Sequence, residues 1–194
     1  MSFGGGGARL GACPIVDLKE TIEKAAEAAA EADYAVLCTG LNVSILHLLD
    51  TVVLLGPLID LVQSDWECEG FDRSDMSLPP NIDELITRVL ELAPNTVIVN
   101  QSGTPVSMLW YSLSSSIIQA WYGGNETGNG IADVLFGDVN PCAKLPLSWP
   151  ADIRDTPAYL NFGSSKSRVL YGEDIYFGYR YYDKVQRQPL FSFG

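Results

Sequence analysis

Histidine is what this 194-residue chain has least of, and cations are outnumbered by acids. There is one histidine, His47, and Lys plus Arg number 12 against 24 Asp plus Glu, for a formal net charge of −12. No Lys/Arg-rich block occurs anywhere, which disfavours a phosphate backbone as partner, because nucleic-acid binders need clustered cations. A Ser-His-Asp triad, a Cys-His pair or a histidine-containing zinc site would have to use His47, which lies inside an oily run. The four cysteines, Cys13, Cys38, Cys68 and Cys142, are far apart, with no CxxC or His-interleaved spacing. No metal and no cofactor is therefore expected. The start, "MSFGGGGARLGAC", lacks the charged beginning and apolar core of a signal peptide.

A long uncharged apolar run is also missing. Residues 43–62 approach the ~20 residues of a membrane span. However, Asp50, Asp60, His47 and the Gly56-Pro57 pair interrupt them, and each charge at mid-span costs about 2.5–3.5 kcal/mol on insertion scales. No membrane span is expected. Three Asn-x-Ser/Thr tripeptides, at Asn42, Asn100 and Asn125, are not expected to be glycosylated. The glycines of "YGGNETGNG" (122–130) fit neither GxGxxG nor GxxxxGK[ST], and read as a turn before a helix rather than a phosphate cradle.

What is present is 47% hydrophobic residues, enough for a globular core. "DLKETIEKAAEAAAEAD" (17–33) is rich in Ala, Glu and Lys, with Ile22, Ala25, Ala26 and Ala29 at helical spacing. "YAVLCTG" (34–40) reads as a buried strand, with Cys38 as a small core residue. "PNIDELITRVLELAP" (80–94) predicts a helix with Asn81 as N-cap and a buried stripe of Ile82, Leu85, Ile86, Val89 and Leu90. "NTVIVNQSG" (95–103) and "SIIQAWYGG" (116–124) predict two more strands, and "ETGNGIADVLFG" (126–137) a helix stopping at Gly137. This alternation implies an α/β fold, a three-layer sandwich whose mostly parallel sheet is flanked by helices. Ligands in such folds sit outside the carboxyl ends of the strands. Further on, 157–169 reads as a long ordered loop, and 170–184 is aromatic-rich and alternating.

The loop after strand 34–40 leads to "SDWECEGFDRSD", where Asp65, Glu67, Glu69, Asp72 and Asp75 crowd together. An exposed acidic loop is the plain reading. Trp66 and Phe71 flank the acids, and aromatic neighbours can desolvate a carboxyl and raise its pKa, as a general acid needs. Gly70 permits close approach of a ligand, and Arg73 can hold one acid ionised while another stays protonated. Paired carboxylates in unlike surroundings are the equipment of glycoside hydrolysis.

"SDWECEGFDRSDMSLP", "NTVIVNQSGTPVSMLW", "IIQAWYGGNETGNGIADVLFGDVNPCAKLPLSWP", "PAYLNF" and "YGEDIYFGYRYYDK…PLFSFG" resemble, in order and spacing, the C-terminal α/β sandwich domain of glycoside hydrolase family 3, above all its fungal β-glucosidases. The resemblance covers 1–194 apart from 43–63. It implies retaining hydrolysis of terminal β-D-glucosyl residues, with Glu69 of "EGFDR" as general acid/base and Glu67 as rival. Trp66, Asp72 and Arg73 are then candidates for shaping the substrate site. In that family an aspartate nucleophile comes from a preceding (β/α) barrel, which has no counterpart among these residues. The last unit also stops before the family's domain normally finishes. The resemblance implies a β-glucoside or oligosaccharide substrate, the barrel as partner, and an isolated chain that is inactive. Alternatives are a stand-alone carbohydrate-binding or interaction module, or another family 3 specificity such as β-xylosidase.

Excising Val43–Gln63 joins "AVLCTGLN" to "SDWECEGFDR", the family's pattern without a gap. The removed piece begins Val-Ser, which GTAAGT or GTGAGT can encode, and ends in Gln, which CAG encodes. Segment 43–63 is accordingly read as translated intron, since a genuine insertion would place many apolar side chains beside a polar loop. Sequenced transcripts are expected to lack those bases; retention in most copies overturns this reading.

Overall fold

The structure is a computed structural model and describes residues 18–41, 72–163 and 167–194. Helix α1, Leu18–Ala30, forms from the Ala/Glu/Lys run. It buries Ile22 and Ala26, half-buries Ala25 and Ala29, and carries a Lys24–Glu20 pair at 2.6 Å on its outer face. Helix α2, Ile82–Leu92, buries Leu85, Ile86, Val89 and Leu90 as its stripe requires. The two helices pack together. Arg88 of α2 reaches Glu23 of α1 through Nε and Nη2 at 2.8–3.0 Å, and that hydrogen bond holds the Glu23 carboxyl below its usual range.

Three strands, β1 Val36–Gly40, β2 Val97–Gln101 and β3 Ser116–Gln119, form a parallel sheet in the order β1-β2-β3. Leu37, Ile98 and Ile117 stand in register across it and join the cluster built on Ile22, Ala26 and the α2 stripe, so both helices cover this face. Helix α3, Thr127–Phe136, ends at Gly137, whose left-handed backbone (φ 81°) donates its N–H to the Val134 carbonyl. The chain is thus a parallel sheet flanked by helices, an α/β sandwich. Among the described residues no helix is long and apolar enough to cross a membrane.

Two local expectations are revised, and one stretch left unassigned takes shape. Asn81 stands at the helix start but does not cap with its side chain: its backbone is left-handed (φ 69°), and the Ile82 N–H goes to the Pro79 carbonyl at 3.2 Å. The strand expected over 116–124 ends at Gln119, because Trp121 takes φ 55° and breaks the extended run. The aromatic alternation of 170–184 yields a short helix, α4, Tyr179–Val185, launched from Gly178 and burying Tyr182.

The tail returns to the core. Trp149 and Phe191 form an antiparallel bridge, Trp149 N–H to the Phe191 carbonyl at 2.8 Å and Leu190 N–H to the Trp149 carbonyl at 2.7 Å. The Trp149 indole, 1% exposed, donates to the Val106 carbonyl at 2.9 Å. A second buried indole, Trp110, donates to Asp83 Oδ1 at 2.9 Å.

Candidate active site

Toward their carboxyl ends the three strands carry the polar residues Thr39, Asn100, Gln101 and Gln119 after apolar pairs or triplets. Asn100 pairs in register with Thr39 on one side and Gln119 on the other. Its Nδ2 donates to Gln119 Oε1 at 2.6 Å and to Ser102 Oγ at 2.9 Å, while Gln119 Nε2 donates to the Ser102 carbonyl at 2.9 Å. Asn100 and Ser102 are fully buried, which also rules out a glycan on Asn100. Asn100 Oδ1, Gln101 Oε1 and Thr39 Oγ1 accept no hydrogen bond among the described residues. This network stiffens the sheet edge from which the site loops depart. The polar "NQS" after the apolar "VIV" was its only sequence signal.

From this edge β1 ends at Gly40, and Leu41 donates its N–H to the Gln101 carbonyl at 2.9 Å. Glu69, Glu67 and Trp66, together with 43–63, lie outside the described residues. Beyond them, Asp72 is exposed and Arg73 half-buried. Arg73 acts as the clasp of the loop base: Nη2 donates to the Ser77 carbonyl at 2.6 Å and Nη1 to Thr104 Oγ1 at 3.3 Å. Asp75 Oδ1 accepts the Ser77 N–H at 2.7 Å, and this bond foremost, with the Arg73 charge a lesser contribution, holds its carboxyl below the ordinary range. The Ser107 N–H closes the base onto the Met76 carbonyl at 2.7 Å. The Arg73–Ser77 segment is therefore anchored to the segment following β2.

Beside this base lies a cavity of about 350 Å³ between the loop, the Thr104-Pro105 turn and the 150–162 segment. Asp72, Arg73 and Asp75 contribute to one side, with Met76, Pro150 and Phe162 among its apolar lining. No cluster of three His, Cys, Asp or Glu able to hold a metal occurs among the described residues. Burial pushes the Cys38 thiol up, but Cys38 is only half-buried and stands outside the core cluster, so the expected core role is not met; in β1 only Leu37 is buried.

The family model described as "Glycosyl hydrolase family 3 C-terminal domain" matches residues 7–179. The chain belongs to this family. The protein named "Probable beta-glucosidase H" of Aspergillus flavus is 60% identical over the whole chain, which spans 21% of that relative, and "Probable beta-glucosidase J" of Neosartorya fischeri is 53% identical, with 20% spanned. A crystal structure of β-glucosidase from Kluyveromyces marxianus in complex with glucose superposes with a TM-score of 0.79 at 49% identity, covering 93% of this chain and 19% of that one. A Bifidobacterium adolescentis family 3 β-glucosidase gives a TM-score of 0.73 at 31% identity, covering 91% and 24%. The family 3 domain thus spans about a fifth of the length of the relatives it matches. The matched span contains the whole stretch from the β1 edge through "EGFDR" to the Arg73 clasp.

Proposed function

We propose that this family 3 domain supplies the general acid/base of a retaining β-glucosidase, and that Glu69 is that residue. The observation that carries the reading is the family match over 7–179, which includes "EGFDR", together with relatives named as β-glucosidases. In the first step Glu69 protonates the glycosidic oxygen while a carboxylate from a separate domain attacks the anomeric carbon, forming a glycosyl-enzyme. In the second it takes a proton from the water that releases glucose. Retention requires the two carboxyls to stand about 5–5.5 Å apart. The nucleophile has no counterpart in this chain, so the domain contributes half of a site. Trp66 shapes the pocket around the acid, and Asp72 lines its approach.

The test compares two proteins. The 194-residue chain alone is expected to give no hydrolysis of an aryl β-glucoside. A hybrid in which it replaces the matching fifth of the Aspergillus flavus relative, made with and without 43–63, is expected to be active in at least one form. Turnover by the isolated chain, or two folded but inert hybrids, overturns the proposal.

A further inference from the structure

A smaller cavity, of about 190 Å³, lies between helix α4 and the bridge that returns the tail to the core. Two local patterns build it. In α4, Tyr179, Tyr182 and Asp183 are spaced by three and four residues, so they share one helix face, and all three line the cavity. Across the antiparallel Trp149–Phe191 bridge, Ser148 and Ser192 extend the pairing by one residue, and both face the same cavity. Gln188 completes the polar lining, and the Arg187 guanidinium is ion-paired with Asp155. Among the described residues no hydrogen bond engages the side chains of Ser148, Asp183, Gln188 or Ser192.

The aromatic wall is fixed in advance. Tyr179 and Phe193 stack with centroids 4.9 Å apart and 28° between their planes, and Arg180 Cζ lies 5.1 Å from the ring centroids of both Tyr179 and Phe177. Phe193 nevertheless exposes 48% of its surface. Ordering these rings is therefore a cost met in folding rather than in binding. A ring wall edged by two hydroxyls, an amide and a carboxylate matches a ligand with an apolar C–H face and a rim of hydroxyls. A pyranose has both. The Asp183 carboxylate can accept from two neighbouring hydroxyls at once, and its charge disfavours anionic ligands such as nucleotides. A purely apolar ligand would leave that carboxylate and the hydroxyls unmatched. The volume falls below the range of drug-sized pockets, room for one ring and not two. We propose that this cavity is a second sugar site, holding a single neutral pyranose such as glucose through Asp183 and the Phe193 ring. It shares no lining residue with the cavity beside the Arg73 clasp and does not depend on the role of Glu69.

Calorimetric titration of the 194-residue chain with glucose is the test, with an expected Kd on the order of 1 mM for so small a ligand. Asp183→Asn keeps the shape of an exposed side chain and should weaken binding about tenfold, the worth of one hydrogen bond to a charged group. Phe193→Ala should weaken it by about the same factor through the lost ring contact; if that variant also unfolds at lower temperature, Asp183→Asn decides. Sorbitol, which has the hydroxyls but no ring, should bind at least about tenfold more weakly than glucose by the same reasoning. Glu69→Gln should leave the glucose affinity unchanged. Absence of binding at about ten times the expected Kd overturns the site. So does sorbitol binding as tightly as glucose, or an affinity that falls in Glu69→Gln and not in Asp183→Asn.

Discussion

In the hybrid enzyme Glu69→Gln is expected to lower kcat on cellobiose by about 10²–10⁴-fold, the usual contribution of a positioned general acid. The isosteric amide keeps the volume and hydrogen-bonding reach of the side chain but has no proton to give at the moment the glycosidic bond breaks. A sugar alkoxide is a poor leaving group and needs that proton; a dinitrophenolate is not, so the loss on a dinitrophenyl glucoside should be much smaller. The pH profile supplies a second readout. A general acid must be protonated in the ground state, so its ionisation ends activity on the alkaline side, and that limb should flatten in Glu69→Gln. Glu67→Gln, tested in parallel, should keep both the rate and the alkaline limb. Near-normal cellobiose turnover in Glu69→Gln, or loss of the limb in Glu67→Gln instead, removes Glu69 from the role.

Much of the architecture was legible because it follows from repetition. The stripes of α1 and α2 and the apolar run "VIV" declare their inward faces through spacing alone; Ile22, Ala26, Leu85, Ile86, Val89, Leu90, Ile98 and Val99 are buried, while Ala25, Ala29, Ile82 and Val97 are half-buried. Gly137 declares a helix end because a left-handed residue is least strained without a Cβ. What stayed hidden depends on backbone angles that side-chain identity does not set. Asparagine is a good N-cap only with an extended backbone, and Asn81 arrives left-handed. A tryptophan at 121 favours a strand by propensity, yet its φ of 55° ends one.

The site divides in the same way. Glu69 is proposed from a contiguous motif, but the Asn100–Ser102–Gln119 network joins residues up to 19 apart and depends on strand register. The cavity is assembled from segments near 72, 104 and 153–162 and has no linear signature. Arg73 shows the limit of reading charge alone. Its place among acids suggested an electrostatic partner, and the geometry gives it first a structural task, clasping Ser77 and Thr104.

Gly40→Ala is expected to destabilise the domain by about 3 kcal/mol, at the upper end of overpacking effects. A Cβ on Gly40 would stand 1.9 Å from the Gln101 carbonyl oxygen and 2.7 Å from its carbon, whereas real Cβ contacts stay beyond 3.0 Å. Both atoms are backbone, so no side chain can swing aside. Relief requires β1 to part from β2 at the carboxyl end, which breaks the Leu41 N–H bond to that same carbonyl and lifts Leu41, 1% exposed, from the core. At about 2–4 °C per kcal/mol for a domain of this size, the melting temperature should drop by roughly 10 °C. Gly137→Ala is the control, because Gly137 also has a positive φ (81°) but nothing within 4 Å of its Cβ position. It should cost only about 1 kcal/mol of backbone strain. In the hybrid enzyme Gly40→Ala should also depress kcat/KM more than Gly137→Ala, since the chain leaves the sheet at Gly40 on its way to the acid, and small displacements of a catalytic group are expensive. Equal stability losses in the two variants would show that the close approach of Gln101 to Gly40 does not constrain this edge.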